Sequence, residues 1–172
     1  MPDLPFFDAR DFSTPEPDRI DLHILQNSHV HRCGTKDDLD ALVARLQQLG
    51  YLIHLINAGH WADERAMHRD LAARLHFPDY YGHNLDAFND MLFDMGSFRY
   101  SHGGSDETTT GTVLALTDFD VFHTRTPKLA HQVLDIFARQ ARSALLGLHP
   151  MLCLVHSTHD LQPVGATEVD YG

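Results

Sequence analysis

Short apolar runs without helical spacing recur along the chain and predict β-strands. Residues 112–117 (Thr-Val-Leu-Ala-Leu-Thr) and 151–155 (Met-Leu-Cys-Leu-Val) are almost continuously apolar, which is typical of strands covered on both faces of a sheet. Residues 51–56 read as a third strand, and a further short strand is expected within residues 20–32. The chain is therefore expected to build a small sheet.

Between these runs, apolar residues recur at intervals of three or four and predict four amphipathic helices. Thr35 followed by Asp38 resembles a capping box at the start of the first helix, and Gly50 suits its end. Asp63 is expected to open the second helix, and Thr126, followed by a proline, to cap the fourth. The four helices are predicted over residues 35–50, 63–78, 84–95 and 126–147.

Strands that alternate with helices imply an α/β fold, with a small parallel sheet of three or four strands packed with helices and joined by right-handed crossovers. Residues 1–19 contain four prolines, so we expect an irregular arm there. The phenylalanines of this arm (Phe6, Phe7 and Phe12) are able to pack on the folded domain. Residues 98–111 predict a polar, mobile loop, and residues 157–172 predict a loosely held tail.

Composition and charge narrow the classes of partner. The 172 residues include 24 Asp and Glu against 13 Lys and Arg, for a formal charge of −11. This balance excludes the basic surface with which proteins bind nucleic-acid phosphates, and it favours a cationic partner. No apolar run is long enough for a membrane span, and residues 1–20 do not have the pattern of a secretory signal. The two cysteines, Cys33 and Cys153, are too few for the disulfide framework of a small secreted protein. The expected location is therefore the cytoplasm.

The predicted third helix has two different faces. Leu85, Phe88, Leu92 and Met95 recur at core spacing, whereas Asp86, Asp90 and Asp94 recur every four residues along another side. Between Asp79 and Gly96 there are four Asp and no Lys or Arg. Like charges one turn apart destabilise a helix by a few tenths of a kcal/mol, roughly, per pair. The stripe is either an ordinary solvated face or a surface for a basic partner.

The residues before this helix favour the binding interpretation. Tyr80 and Tyr81 precede the acidic stripe, and an exposed tyrosine beside acids is a common anchor at protein interfaces. One of the two tyrosines is expected to pack in the core. Gly82 permits the chain to turn sharply into the helix.

Residues 78–90, Pro-Asp-Tyr-Tyr-Gly-His-Asn-Leu-Asp-Ala-Phe-Asn-Asp, resemble the signature of the barstar family, intracellular inhibitors of the ribonuclease barnase. The family pattern is roughly Pro-Glu-Tyr-Tyr-Gly-x-Asn-Leu-Asp-Ala-Leu-x-Asp. The order of elements agrees with that family over residues 51–157. Residues 1–50 are then expected to form an arm and a strand-helix extension packed on the same domain, with residues 158–172 as a C-terminal tail.

The resemblance implies a mechanism and a set of partner-binding residues. In this family the helix and the preceding loop plug the ribonuclease active site, and the acids stand in for substrate phosphates. Asp90 would be the central phosphate mimic, Asp86 the supporting acid and Tyr80 the aromatic contact. The rim would consist of Gly82, His83 and Asn84, and Asn89 and Asp94 complete the predicted surface.

Three positions depart from the family pattern. Asn89 stands where the family has a tryptophan, His83 replaces a glutamate, and a carboxylate on the last helix falls at about Arg139, with the opposite charge. These changes favour a related ribonuclease rather than barnase itself as the partner. The alternative is an interaction module that keeps the fold but binds a protein other than a nuclease.

Other chemistries rank lower. Asp86 and Asp90 have the one-turn separation of a glycosidase pair, but both lie on one exposed helix without an opposing wall. The 14 histidines show no metal-ligand spacing, although they could make stability or binding sensitive to pH between about 5 and 7. Cys153 lies in a buried strand and Cys33 near a strand end, so neither is expected to be reactive. We therefore expect neither enzyme activity nor a cofactor.

Overall fold

The computed structural model describes residues 19–98 and 109–165. In chain order the helices and strands are α1 (Ile20–Asn27), β1 (Val30–Cys33), α2 (Lys36–Gln48), β2 (Leu52–Asn57), α3 (Glu64–Arg74), α4 (Leu85–Phe98), β3 (Thr112–Thr117), α5 (Phe119–Arg125), α6 (Pro127–Leu146) and β4 (Met151–His156). A short 3-10 turn, Ala58–His60, follows β2. The predicted arm, most of the predicted polar loop and the last seven residues lie outside the described part.

The four strands form one parallel sheet in the order β1-β4-β3-β2. All six residues of β3 are buried, because this strand has a neighbour on each side and helices on both faces. One face packs against α2, where Leu39 and Leu46 meet Val113 and Leu152. The opposite face packs against α4, α5 and α6 in the larger core. The prediction of an α/β fold with a small parallel sheet is confirmed.

Several predicted helix ends are confirmed by their hydrogen bonds. The Thr35 hydroxyl accepts the Asp38 backbone N–H at 3.1 Å, and the Asp63 carboxylate accepts the Ala66 backbone N–H at 2.7 Å. Both are N-caps that satisfy an otherwise unpaired donor of the first turn. Gly50 follows α2 with φ of 85°, a left-handed conformation in which glycine has no steric penalty.

A short strand was expected within residues 20–32, and β1 confirms it at the end of that range, whereas the helix α1 that precedes it was not predicted. A buried carboxylate fixes the start of α1. Asp21 is fully buried and accepts two hydrogen bonds from Arg19 and one from the Tyr51 hydroxyl, each 2.9 Å long. A buried charge needs such partners. This network ties α1 to the residue before β2, a long-range contact that no local pattern reveals.

Helix α5 was not predicted. It follows Asp118, whose φ of 51° turns the chain directly out of β3, and it buries Phe119 and Phe122. The predicted capping of the next helix by Thr126 is wrong in its detail, since this side chain makes no cap hydrogen bond to α6. Its hydroxyl donates instead to the Phe122 carbonyl at 3.2 Å, at the end of α5.

The segment after β4 is held more firmly than predicted as far as residue 165. Val164 is 6% exposed, and the backbone N–H of Gly165 donates to Asp135 on α6 at 2.8 Å. The prediction of a loosely held tail is therefore wrong for residues 157–165, and residues 166–172 lie outside the described range.

Helix α4 extends to Phe98, three residues beyond its predicted end.

Within residues 19–98 and 109–165, no helix combines the length and the apolar character that a membrane crossing requires.

Three buried histidines and one half-buried histidine predict that acid destabilises the fold. Burial lowers the pKa of His29, His31, His54 and His68 below the usual 6.5. Below pH 6.5 the unfolded chain therefore binds more protons than the folded chain, so stability decreases as the pH falls towards the lowered pKa values. We expect the urea midpoint to be lower at pH 5.5 than at pH 7.5, with a slope of about 1.4 kcal/mol per pH unit for each extra proton bound by the unfolded chain. A midpoint that stays constant or rises on acidification would contradict this expectation.

Candidate functional site

Asn84 sets the start of α4. Its side-chain oxygen accepts the Ala87 backbone N–H at 2.8 Å, its amide donates to the Gly82 carbonyl at 3.2 Å, and its own carbonyl accepts the Phe88 N–H at 2.9 Å. A single side chain therefore caps the helix and fixes the preceding loop. The predicted rim residue Asn84 is exposed, and it is also the N-cap of the helix.

The loop from Phe77 to Asn84 is anchored by one of its two tyrosines. Tyr81 is 4% exposed, whereas Tyr80 is 75% exposed, which confirms that one tyrosine packs in the core. The ring of Tyr81 packs against those of Phe77 and His83 at centroid distances of 4.8 and 4.9 Å. Tyr80 is therefore presented to solvent by a loop with a fixed base.

A buried histidine lies beneath this loop. His68 of α3 is fully buried, and its Nδ1 lies 2.6 Å from the Tyr81 hydroxyl. Burial lowers the pKa of His68 and raises that of Tyr81, so a neutral ring accepts the phenol proton in a hydrogen bond. The Nε2 atom lies 3.5 Å from a Glu64 carboxylate oxygen and has no hydrogen-bond partner among the described residues. Sequence reasoning missed His68 because nothing local links it to Tyr81, thirteen positions away.

The sharp entry into α4 was assigned to Gly82, but the left-handed residue is His83, with φ of 51°. Gly82 has a different role. A Cβ atom there would lie 3.2 Å from the Asn84 amide and 3.3 Å from the Ala87 Cβ. A side chain at this position would crowd the helix cap, so Gly82 supplies room rather than a positive φ. Gly82 and His83 are both exposed.

Helix α4 separates its apolar and acidic residues as the pattern predicts. Phe88, Met91, Leu92 and Met95 are at most 5% exposed, and Leu85 is half-buried. On the other side Asp86 and Asp90 are exposed and Asp94 is half-buried. Among the residues that the structure describes, none of these three carboxylates takes part in an ion pair or a hydrogen bond. Two exposed negative charges therefore lie one turn apart on α4.

Asn89 is tied to the neighbouring helix rather than presented freely. It is half-buried, and its side-chain oxygen accepts a hydrogen bond of 2.8 Å from the Gln140 amide of α6. Next to Gln140, the exposed Arg139 pairs with Asp135 at 3.1 Å, so its charge is partly compensated. The acidic face thus borders a polar stretch of α6 rather than an aromatic one.

Phe93 is a further exposed residue on this side, and sequence reasoning missed it. It is 52% exposed and lies three positions after Asp90, which places it one helical turn further along the same side. In the sequence, Phe93 could have been recognised as exposed only because it does not belong to the apolar positions of α4 that are spaced to face the core. An exposed aromatic next to an acidic stripe adds an apolar contact surface to the site.

Neither a cluster of metal ligands nor a reactive thiol is found in the part of the chain that the structure describes. No three His, Cys, Asp or Glu side chains within residues 19–98 and 109–165 come together as metal ligands. Cys33 and Cys153 are both free and buried. Burial raises the pKa of the Cys33 thiol to about 11, and burial also raises that of Cys153, so both thiols stay protonated and unreactive near neutral pH.

Comparison with protein-family models identifies a family for this chain. The family model described as Barstar (barnase inhibitor) matches residues 51–156, a range that runs from the residue before β2 to the end of β4 and includes the loop and α4. No curated protein matches the chain significantly. Since the family model covers more than half of the 172 residues, the chain belongs to the barstar family, a family of ribonuclease inhibitors.

Proposed function

We propose that this protein binds a basic ribonuclease and blocks its active site with the acidic face of α4. The proposal depends chiefly on one observation: Asp86 and Asp90 are exposed side by side, without an ion pair among the described residues. A carboxylate accepts paired hydrogen bonds from arginine as a phosphate does. Asp90 would take the place of the central phosphate, and Asp86 would support it.

The rigidity of α4 supports this role. Phe88 and Leu92, on either side of Asp90 in sequence, are fully buried, and Asn84 fixes the helix start. A carboxylate on such a helix is already held in place before binding. Binding then costs less conformational entropy than it would on a flexible loop.

Side chains around the two acids complete the proposed contact surface. Tyr80 would supply the aromatic contact, and Gly82, His83 and Asn84 would shape the rim. Asn89 and Asp94 would lie towards the margin, since both are half-buried. We add Phe93 as an apolar contact beyond Asp90.

The departures from the family pattern indicate which kind of ribonuclease is the partner. In place of the family's tryptophan stands Asn89, which is bonded to Gln140, and in place of the family's carboxylate on the last helix stands Arg139, which pairs with Asp135. A surface of this composition suits a ribonuclease related to barnase rather than barnase itself. We propose an antitoxin-type role in the cytoplasm, with which two free, buried thiols are compatible.

The direct test is to mix the purified protein with a panel of basic ribonucleases of the barnase type and to measure cleavage of RNA. We expect activity against at least one of them to fall in proportion to the added protein and to vanish near a one-to-one ratio. If the protein binds a partner from its host firmly and no ribonuclease activity is affected, the alternative of a non-nuclease interaction module is correct.

Salt dependence of association is a second expected property. With a net charge of −11 and a basic partner, long-range attraction should speed the encounter. We expect the association rate constant to fall roughly tenfold or more as the salt concentration rises from about 50 to about 500 mM. Stopped-flow mixing measures this rate. A rate that does not change with salt would exclude electrostatic steering.

A further inference from the structure

A groove on another part of the molecule runs between α6 and the segment that follows β4. It has two adjoining parts with volumes of about 270 and 420 Å³. Both parts are lined by Leu134 of α6 and by Leu161 and Gln162 of the following segment. Val30 of β1 and Phe119 of α5 add further apolar surface to its floor. Each part is large enough to receive an aromatic side chain.

The described rim of this groove carries two cations, Lys128 and Arg32, against the carboxylate of Asp160, although the protein as a whole is acidic. Lys128 lines the larger part, is exposed, and has no ion pair among the described residues. Arg32 lines the smaller part, and the one carboxylate lining the groove, that of Asp160, lies 3.8 Å from it. An apolar floor with a basic rim fits a segment that combines aromatic and acidic side chains.

Residues 1–18 of this chain have that composition. They contain five acidic residues against a single Arg10, together with Phe6, Phe7 and Phe12. They join the described structure just before α1, and Ile24 of α1 and Ser28, the residue after this helix, line the smaller part of the groove. An extended chain advances about 3.3 Å per residue, so Phe12 lies within roughly 25 Å of Arg19. At this rise 18 residues span up to roughly 59 Å, more than the diameter of about 40 Å expected for a domain of this size.

We infer that residues 1–18 bind in this groove, with the phenylalanines against its apolar floor and the carboxylates beside Lys128 and Arg32. The interaction attaches the N-terminal segment to α6. The groove is distinct from the acidic face of α4, because none of the residues that line it belongs to α4 or to its preceding loop.

Site-specific photo-cross-linking in the full chain tests this inference. A benzophenone amino acid in place of Gln162, which is exposed and lines both parts of the groove, captures whatever occupies it. An equal mixture of unlabelled and isotope-labelled protein is irradiated and digested, and the cross-linked peptides are identified by mass. We expect links from position 162 to residues 1–18 of the same molecule. Links to residues 166–172, links between labelled and unlabelled chains, or no link to residues 1–18 would each overturn the inference.

Matched variants separate binding from mere proximity. Replacing Phe6, Phe7 and Phe12 together with serine, or changing Lys128→Glu, should lower the yield of this cross-link about fivefold or more, as expected for a loss near 1 kcal/mol. The control Arg69→Glu reverses an exposed charge on α3 and should leave the yield unchanged. Unfolding curves of each variant verify that the fold is retained. Wild-type yield in the serine variant would show that the phenylalanines do not hold the segment.

Discussion

Replacing Asp90 with alanine is expected to weaken binding to the ribonuclease partner by about 2–5 kcal/mol, a range that measurements on the barnase–barstar complex itself helped to set. This corresponds to a roughly thirty- to several-thousandfold higher Kd. The large effect has two causes: a charge-assisted contact is lost, and a cationic group of the enzyme stays buried without a partner. The free energy of unfolding should stay the same or rise slightly, because Asp90 is exposed and repels Asp86 one turn away.

Isothermal titration of the variant, together with urea unfolding of the free protein, measures both quantities. Asp37→Ala is the matched control, since it removes the same charge from an exposed position on α2, which packs on the other face of the sheet. It should leave the Kd within about twofold of wild type, an effect below 0.5 kcal/mol as for most surface changes. If Asp90→Ala unfolds the protein while the folded fraction binds normally, the assignment of this site is wrong.

Phe88→Ala should have the opposite effects: it should lower the stability of the fold and leave the affinity of the folded protein for the partner unchanged. Phe88 is fully buried, two residues from Asp90 on the other face of α4, and it packs near Phe77 at a ring distance of 6.4 Å. Truncation of a buried phenylalanine leaves a cavity and lowers the free energy of unfolding by about 3–5 kcal/mol. The exposed carboxylates remain in place, so the folded fraction should still bind the partner.

Phe93→Ala is the control for this variant, since it removes the same side chain from the same helix at an exposed position. Its free energy of unfolding should change by less than about 0.5 kcal/mol, while its Kd should rise if Phe93 contacts the enzyme. Equal losses of stability in the two variants would mean that α4 does not bury the face described above.

The elements that the sequence predicted well are those whose pattern depends on burial. Strands β3 and β4 lie in the centre of the sheet, and their unbroken apolar runs follow directly from that position. The two faces of α4 are equally readable, because helical spacing separates Phe88 and Leu92 from Asp86 and Asp90. The barstar motif in residues 78–90 then suggested the family, which the family model confirms.

The features that were missed depend on contacts distant in sequence. Helix α1 is fixed through Asp21, Arg19 and Tyr51, and the alternating composition of residues 20–25 resembles a strand as much as a helix. The support of the loop by His68 spans two elements, so no local pattern contains it. The exchange of roles between Gly82 and His83 was also unpredictable, because glycine is the usual residue at a positive φ.

The site itself could be predicted only as a set of positions. Spacing placed Asp86 and Asp90 on one side of a helix, but it could not tell whether an internal arginine neutralised them. Arg139 of α6, the helix that packs against α4, pairs with Asp135 of its own helix. Asn89 is half-buried and bonded to Gln140 because α4 packs on α6. The sequence of one helix alone does not reveal how it packs on another.

Competition with a small phosphate ligand tests most directly whether the acidic face of α4 occupies a ribonuclease active site. Inhibition of the partner ribonuclease is titrated at increasing concentrations of a mononucleotide that binds its active site. If Asp90 and Asp86 take the positions of substrate phosphates, the apparent Kd of the protein will rise in proportion to the mononucleotide concentration, and the complex will exclude the mononucleotide. If the protein and the mononucleotide bind the enzyme simultaneously with unchanged affinities, α4 does not enter the active site and the proposed mechanism is wrong.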